Sequence, residues 1–393
     1  MKTRAQLLAL TIAVILILAV TTSAGQSTPR GVAMGGAYIG LAKGVDAARF
    51  NPANLGLIDY HNTSLELVGV GASITNNSFT LGDYNKYTGA FLTGDDKEYI
   101  LSRIPGEGLK LSVDVEAAAL SASSGPFAFT ITGVAAADIN LSKDIFELAL
   151  NGNASADTIS VTGSYSEAVS YASAGISYGK PIYSAGTRQL SVGTTVKYLY
   201  GIATEEVVEL EGLASTALTG FEGEGRMVIR TATGGSGYAV DLGAALKLNE
   251  NYTIGAGIRN FLSHLTWNKN TEEHGYIFEF DTMTVDNMED DYVVSDDYTL
   301  ELESFSTTLP AVMTVGVAKH SGTLHWAVDW EQGFRLAAGA STNPRLAAGI
   351  ELAPVSMFPL RAGFATGGGR NTAFSIGSGL HVPMFHVDYA IVT

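Results

Sequence analysis

The pentapeptide Gly175-Ile-Ser177-Tyr-Gly179 matches G-x-S-x-G, the pattern of a nucleophile elbow that presents a catalytic serine. Such an elbow is a sharp turn between a strand and a helix, and the turn exposes the serine hydroxyl. Lys180 and Pro181 come next, and the residues around them continue as a strand or a turn. The match is therefore a coincidence. The sequence shows no set of nucleophile, base and oxyanion donors that would indicate an enzyme.

Residue types that bind metals are present, but their spacing does not fit a metal site. The seven histidines are scattered without an H-E-x-x-H or similar pattern, and there is no cysteine. An acidic run over residues 286–303 has the charge to attract Ca²⁺. It lacks the glycine and the spacing of a calcium-binding loop, so we expect a solvated loop. The sequence predicts no catalytic residues, no metal and no cofactor.

Residues 1–24 have the features of a cleaved signal peptide. Lys2 and Arg4 precede an apolar run over residues 7–20, and small residues lead to a cleavage site after Ala24. An uncleaved anchor helix is disfavoured, because the run is shorter than the ~20 residues that span a bilayer. No cysteine follows the run, which excludes a lipoprotein anchor. We expect an exported chain without disulfides.

The composition fits an exported chain of low charge and argues against a nucleic-acid partner. The 393 residues carry a formal net charge of −16, whereas phosphate binding requires a basic surface. Charged residues amount to 16%, below the ~25% of soluble domains, and there are 45 Gly and 17 Tyr. Mean hydropathy is nevertheless +0.18. No apolar run of membrane-helix length follows the signal, so a membrane-embedded form would have to use strands.

Apolar and polar residues alternate with a period of two along much of the chain. Over residues 238–248 one face is apolar throughout, while the other carries Asp241 and Lys247. Residues 252–259 repeat the design with Arg259 on the second face, after a tight polar turn. The same period predicts further strands at residues 109–117, 190–200, 324–331, 345–352 and 385–391.

Two architectures produce this alternation, a soluble β-sandwich and a transmembrane barrel. Aromatic residues at strand ends favour the barrel, because they resemble interfacial girdles. The small or charged second face suits a polar lumen. We predict an all-β fold, a transmembrane antiparallel β-barrel of about 14 strands. The strand-end aromatics are Tyr198, Tyr200, Tyr252, Trp326, Trp330, Phe358 and Phe364.

The charged residues on the second face are expected to line the lumen as a charge network. His325 shares a face with Asp329 on one strand, and His386 shares a face with Asp388 on another. This placement favours luminal contacts over catalysis. The predicted network comprises Asp241, Lys247, Arg259, His325, Asp329, His386 and Asp388.

The segment over residues 31–57 is rich in glycine and lacks the period of two. Pro52 moves Asn51 out of the helical region, and the segment is too apolar to lie free in water. We expect residues 25–60 to form a hatch inside the barrel, where luminal groups satisfy its backbone. Pro52 should stiffen a turn in which the Asn51 side chain bonds neighbouring backbone. The predicted hatch and gating residues are Gly35, Gly36, Asn51, Pro52, Ala53 and Asn54.

Residues 61–393 are expected to form the barrel, with a short helical insert near residues 142–152. There Ile145, Leu148 and Ala149 share one stripe, and Gly152 provides a stop signal. A helix of this length cannot span a bilayer. We expect a packed connector rather than a ligand gate.

The pairing of Gly35-Gly36-Ala37 with Phe50-Asn51-Pro52-Ala53 resembles the N-terminal hatch of the FadL-type superfamily of outer-membrane barrels. That superfamily includes fatty-acid and aromatic-hydrocarbon transporters and PorV-like proteins. Residues 192–201, 242–261 and 309–334 resemble its strands, especially those of the PorV-like and uncharacterised branches. The resemblance implies a barrel of about 14 strands with a luminal hatch. In the fatty-acid transporters, the Asn-Pro-Ala part lines a passage for hydrophobic molecules that leave sideways through the wall.

The resemblance implies two possible functions in the outer membrane, with outer-membrane lipid as a partner. The first is passive uptake of hydrophobic small molecules through a hatch-gated lumen. The alternative is a PorV-like barrel without solute transport, which binds a protein partner or a secretion machine. An apolar tunnel beside Asn51 with a kinked wall would favour uptake, whereas a closed, charge-lined lumen would favour partner binding. The chain departs from the superfamily pattern at DYAIVT, which lacks a terminal aromatic residue.

Overall fold

Antiparallel strands make up most of the computed structural model, which describes residues 28–61, 63–152, 158–217, 220–283 and 293–393. The predicted signal peptide and the acidic residues 286–292 lie outside the described residues. Within these ranges, no helix is both long enough and apolar enough to cross a membrane.

The described part contains seventeen strands in one antiparallel sheet. They are β1 (Ser64–Asn76), β2 (Leu109–Ser124), β3 (Phe127–Leu141), β4 (Thr158–Ser160), β5 (Tyr165–Ala185), β6 (Arg188–Ala217), β7 (Gly220–Lys247), β8 (Tyr252–Trp267), β9 (Glu272–Met283), β10 (Val293–Glu301), β11 (Phe305–Thr307), β12 (Val312–Ser321), β13 (Leu324–Gly333), β14 (Arg345–Leu352), β15 (Leu360–Gly367), β16 (Arg370–Val382) and β17 (Phe385–Val392).

The helices are short, and side-chain caps start several of them. Thr80 and Thr93 each form a capping box with the aspartate three residues later, which satisfies free backbone amides. The predicted insert near residues 142–152 is a helix in the structure. The helices are α1 (Pro29–Ala33), α2 (Val45–Phe50), α3 (Leu81–Tyr87), α4 (Gly94–Arg103) and α5 (Lys143–Asn151), and two 3₁₀ turns are η1 (Pro52–Gly56) and η2 (Ile58–Tyr60).

Thirteen strand positions follow one another around the wall. Each pairs antiparallel with the next, in the order β1, β2, β3, β5, β6, β7, β8, β12, β13, β14, β15, β16 and β17. β11 continues the position of β12, since both pair with β8. Three further strands extend one end of this wall. β4 pairs with β6, β9 pairs with β7, and β10 pairs with β9. In the described residues, no ladder joins β17 to β1.

The two ends of the wall differ in their connections. The lower rim carries short turns, such as residues 248–251 between β7 and β8 and residues 322–323 between β12 and β13. The upper rim carries the longer connections, including residues 77–108 with α3 and α4. Two long strands, β6 and β7, project beyond the rest at this upper rim.

Side chains alternate across the wall as the period of two predicts. Asp241 and Thr253 are 4% and 1% exposed on the inner face, whereas Leu242 and Ile254 are 38% and 37% exposed on the outer face. Alternation follows from the pleat, which points successive Cβ atoms to opposite faces. The outer face is therefore apolar and the inner face polar.

Residues 29–60, the hatch segment, lie against the inner face of the lower half of this wall. Their backbone packs directly on inward-facing glycines, which explains part of the high glycine content. A Cβ at Gly179 would lie 2.7 Å from the Pro52 carbonyl oxygen, and one at Gly377 would lie 2.5 Å from the Ala33 Cβ. Further wall glycines that meet the hatch segment are Gly193, Gly243, Gly255, Gly316, Gly349 and Gly363.

Candidate functional site

The Asn-Pro corner of the hatch segment is held by two asparagines. Asn51 has an extended backbone, and its side-chain oxygen accepts a hydrogen bond from the Ala53 amide at 3.1 Å, which caps η1. Its Nδ2 donates to the Ala244 carbonyl on β7 at 3.0 Å. Asn54 is fully buried, and its Nδ2 donates to the carbonyls of Ile39 and Ala42 at 2.9 Å each. The corner is thus tied both to the wall and to the rest of the hatch segment.

Gly35 and Gly36 allow the chain to pass close to the wall. Both have positive φ, +70° and +90°, a conformation that favours glycine. A Cβ at Gly35 would lie 2.7 Å from the Phe364 amide, and one at Gly36 would lie 2.9 Å from the Arg345 guanidinium. Arg345 Nη2 donates to the Gly35 carbonyl at 2.5 Å. Larger residues at either position would push the hatch segment away from β14 and β15.

Asp329 binds the hatch backbone directly. One oxygen of its carboxylate accepts the amides of Tyr38 and Ile39 at 2.6 and 2.8 Å. Asp329 is 3% exposed, so no water replaces these bonds readily. Hydrogen bonds from amides to a carboxylate are among the stronger ones in proteins. Asp329 therefore acts as an anchor of the hatch segment rather than as part of a charge network.

Tyr38 connects the two helices of the hatch segment. Its ring meets Phe50 of α2 edge-on, with centroids 4.9 Å apart, and the Arg30 guanidinium of α1 lies 5.4 Å above its centre. Its hydroxyl donates to Asp46 at 3.1 Å. Burial raises the pKa of the Asp46 carboxyl. Around this ring, hatch residues pack on four small wall residues, Ala318, Ala327, Ala347 and Ala365.

A chain of ion pairs runs from the hatch segment across three wall strands. Arg30 forms two bonds to Glu351, at 2.6 and 2.8 Å. Glu351 also accepts from Arg361 at 2.5 Å, and Arg361 donates to Asp388 at 2.6 Å. The Arg361 side chain is fully buried. Each charge in this chain has an opposite charge beside it, as burial requires.

The predicted His386 lies at the exposed end of this chain. Its ring stacks on His381 with centroids 4.3 Å apart, and His381 Nε2 lies 2.9 Å from Asp388. His325 lies elsewhere on the lower rim, with its ring centroid 5.6 Å from that of His320. His320 in turn bonds the Tyr60 hydroxyl of the hatch segment.

Lys247 and Asp59 form a separate ion pair between β7 and the hatch segment. The predicted luminal charges thus do not form a single network. Most of them divide into local groups that hold the hatch segment in place, whereas Asp241 and Arg259 lie higher in the lumen.

Above the hatch segment, the lumen contains a chamber that is partly open to solvent. Its floor includes Ala48 and Arg49 of α2. Its sides combine charged groups with hydroxyls and small residues from β2, β3, β5, β6 and β8. The polar lining residues are Arg49, Asp114, Glu116, Thr130, Thr132, Tyr171, Ser173, Lys197, Arg259 and Asn260.

Asp241 organises one side of the chamber. It pairs with Lys197 at 2.6 Å and accepts the Asn260 amide at 2.8 Å. Asn260 lies in a bulge of β8 with φ +52°, a conformation that asparagine tolerates better than most residues. Lys197 Nζ also lies 3.4 Å from Asn260 Oδ1. The predicted Arg259 lines the same chamber.

An apolar cluster covers the chamber on its upper side. Trp267 is fully buried, and its indole N–H donates to Thr307 at 2.9 Å. Val169, Tyr171 and Leu309 belong both to the chamber lining and to this cluster or its immediate surroundings. The chamber lining therefore combines apolar side chains of this cluster with charged and polar groups. The buried members of the cluster are Leu199, Ala232, Ala239, Leu265, Trp267 and Leu309.

The wall is irregular at Leu120 in β2. Leu120 has φ +51°, and three residues of β2 face two of β3 between Ala118 and Ala122. The Ile131 amide on β3 donates to the Ser121 hydroxyl at 3.2 Å. A left-handed leucine costs ~1–2 kcal/mol, so the surrounding structure imposes this kink. It lies near α2, because Ala128 of β3 packs against Ala47 and Ala48.

Several residues of this site were not identified from the sequence. They include Arg30, Arg49, Glu66, Glu351 and Arg361, which form ion pairs with one another. Glu351 lies on the polar face of a predicted strand, and Arg361 lies on the polar face of the strand beside it. The period of two alone could therefore have suggested that both side chains point into the lumen. Their pairing requires the strand register.

Ser177 of the G-x-S-x-G pattern lies within β5. It is fully buried, and its hydroxyl is 2.8 Å from that of Thr195 on β6. Among the residues that the structure describes, no group of three or more His, Asp or Glu side chains is arranged to hold a metal ion.

Solved barrels match the chain over nearly its whole length. A deltaS2 mutant of the TodX monoaromatic hydrocarbon channel matches with a TM-score of 0.51 at 15% identity, covering 94% of this chain and 92% of that chain. The Ralstonia pickettii toluene transporter TbuX gives 0.48 at 15% identity, with 93% and 92% covered. A Pseudomonas aeruginosa FadL homologue gives 0.46 at 14% identity, with 95% and 90% covered.

At such low identity, these matches describe the fold alone. The chain has the fold of the FadL-type barrels, which confirms the predicted fold class and the resemblance of the sequence. Residues 56–220 match the model of a family of unknown function, DUF5723. The sequence matches no curated protein.

Proposed function

We propose that the protein resides in the outer membrane and permits passive uptake of hydrophobic small molecules through its hatch-gated lumen, without catalysing a reaction. The apolar outer face suits lipid, and the polar inner face suits a lumen. The solved barrels of the same fold include toluene transporters and a monoaromatic hydrocarbon channel. Small hydrophobic molecules of this kind are the proposed solutes.

The kink of the wall at Leu120 is the observation that carries this proposal. A transmembrane wall normally satisfies all its backbone groups between strands. Here the ladder is interrupted beside α2, at the level where the hatch segment closes the lumen. A solute that leaves the chamber at this point reaches lipid without crossing the hatch corner at Asn51.

The chamber is the proposed binding site of the solute. Its lining combines the apolar Val169 and Leu309 with the charged Lys197, Arg259 and Arg49. A molecule with a hydrophobic body and a polar end fits this combination. Because no bond is made or broken, passage needs only displacement of part of the hatch segment.

Filling the chamber tests this route. Ser173 points into it from β5, so Ser173→Trp should obstruct the passage and lower uptake of toluene and octanoate. The matched control is Ala172→Trp, which adds the same side chain on the opposite face of that strand. Uptake is measured in vesicles with lipopolysaccharide in the outer leaflet, at equal amounts of folded barrel.

Equal uptake by both variants and the wild type would refute passage through the chamber. It would favour the alternative of a PorV-like barrel that binds a protein partner. The charge-lined lower lumen and the many contacts that hold the hatch segment favour that alternative. Recovery of a stable protein partner, together with uptake no faster than in vesicles without the protein, would establish it.

A further inference from the structure

The connection between β13 and β14, residues 334–344, folds from the upper rim into the lumen, and we call it the lumen loop. Ala337 and Ala338 are 1% and 4% exposed, whereas Phe334 and Leu336 near its start are exposed. Loops normally lie on the surface, because buried backbone groups need hydrogen-bond partners. The buried part of the lumen loop must therefore find its partners inside the barrel.

A tight turn forms the buried tip of the lumen loop. The Ala340 amide donates to the Ala337 carbonyl at 2.9 Å, which leaves Ala338 and Gly339 at the tip. Gly339 has φ +83°, the conformation that glycine supplies at the third position of such a turn. The tip is thus a defined turn, and the Ala338 amide bonds to a group outside the loop.

Glu167 on β5 binds this tip from across the lumen. Its Oε2 accepts the Ala338 amide at 3.0 Å. Four positions of the wall, β6, β7, β8 and β12, separate β5 from β13. The bond therefore joins two distant parts of the wall through the lumen. A hydrogen bond from an amide to a carboxylate is also among the stronger ones in proteins.

Other contacts hold the base of the lumen loop at the rim. Arg335 donates to the carbonyl of Thr308, which lies between β11 and β12. Gln332, near the end of β13, donates to the Thr342 carbonyl and closes the base of the loop. The base is thus attached independently of Glu167. Loss of the Glu167 carboxylate would free the tip without detaching the base.

The tip forms part of the boundary of the chamber. Ala338 and Gly339 line the chamber together with Val169, which is two residues from Glu167 on the same face of β5. β5 runs downward from Glu167 past the chamber-lining Ser173 to the hatch segment. The tip therefore lies on the upper side of the chamber. A solute that enters from the upper rim meets the tip before it reaches Ser173.

We propose that the lumen loop is a lid on the upper side of the chamber and that Glu167 is the latch that holds its tip closed. When Ala338 leaves Glu167, the tip swings on the base that Arg335 and Gln332 hold. Glu167 is a positioning residue, because it binds the lid and not the solute. The inference rests on the proposed function, since it takes the chamber as the binding site of the solute.

Labelling of a single cysteine in the chamber tests the lid. The chain contains no cysteine, so Ser173→Cys supplies one reactive thiol in the chamber. The rate of labelling by fluorescein maleimide is measured on the refolded full chain in detergent micelles. Adding Glu167→Ala should speed labelling by about 10-fold to 100-fold, because opening of the tip no longer breaks a hydrogen bond to a carboxylate.

Three further variants keep the result interpretable. Glu167→Gln keeps a side-chain oxygen that can accept the Ala338 amide, so labelling should stay within about threefold of the parent rate. Glu205→Ala removes an exposed carboxylate opposite Ala168, on the outer face at the same height, and should leave the rate unchanged. If Glu167→Ala does not refold, Arg335→Ala loosens the base of the lid and should also speed labelling.

A second reporter separates access to the chamber from reactivity in general. Ser295→Cys on β10 is exposed and should be labelled equally fast with and without Glu167→Ala. Equal labelling of Ser173→Cys with and without Glu167→Ala would overturn the lid, and so would acceleration by Glu205→Ala. Because no solute is present, labelling can refute the lid while the uptake test with Ser173→Trp still supports passage through the chamber, and the reverse.

Discussion

Asp329 offers the sharpest test of how the hatch segment is attached. In Asp329→Ala, the amides of Tyr38 and Ile39 lose the carboxylate that accepts both of them. A buried amide left without a partner costs ~1–3 kcal/mol, so two cost ~2–6 kcal/mol. If that cost falls on the attached state of the hatch segment, residues 34–44 should exchange about 30-fold to 20,000-fold faster. Deuterium uptake by mass spectrometry measures this directly.

Two control variants show whether faster exchange of residues 34–44 comes from loss of the Asp329 carboxylate. Asp329→Asn keeps an oxygen that can accept both amides, so it should show a smaller effect than Asp329→Ala. Asp296→Ala removes an exposed aspartate of β10 and should leave residues 34–44 unchanged. If exchange in Asp329→Ala rises less than about threefold, the two bonds do not hold the hatch segment and the reasoning fails.

The remaining predictions concern the wall and its connections. Leu242→Arg or Ile254→Arg should destabilise the folded barrel by ~2–4 kcal/mol in urea titrations in lipid. The control is Leu300→Arg in β10, in the extension of the wall, and a smaller effect at Leu242 and Ile254 than at Leu300 would reverse the assignment of faces. Gly193→Ala should lower the midpoint of thermal unfolding, because a Cβ there meets the Pro52 backbone, whereas Gly133→Ala has open space and should not. Fractionation and heat-sensitive gel mobility should locate the mature chain in the outer membrane, and a soluble periplasmic monomer would contradict the barrel. Thr93→Ala should cost ~0.5–2 kcal/mol of local stability in α4, seen as faster exchange of residues 94–103 only.

The inner face is closely packed at Asp241 and Thr253. A lumen-facing residue in a wide barrel tolerates substitution, because water surrounds it. Here Asp241 pairs with Lys197 and bonds Asn260, while Thr253 lies 3.0 Å from the Tyr60 hydroxyl. Both positions are buried beneath the hatch segment or beside the chamber. Substitutions at these two residues should therefore disturb packing as well as charge.

The sequence alone determined the elements and their faces. The period of two predicted where strands lie and which residues face inward, because successive side chains of a pleated strand point to opposite faces of the sheet. The Asn-Pro corner was also readable, since Pro52 restricts Asn51 and the Asn51 side chain bonds the amide two residues later. These are local properties that each segment carries by itself.

Only the tertiary structure decided which inward charges meet. Arg30 and Glu351 are separated by 321 positions, and their pairing depends on the register of every strand between them. The kink at Leu120 is equally non-local, because nothing in residues 118–122 favours a left-handed leucine over a straight strand. Long-range strand register, rather than local preference, thus decided which wall residues hold the hatch segment.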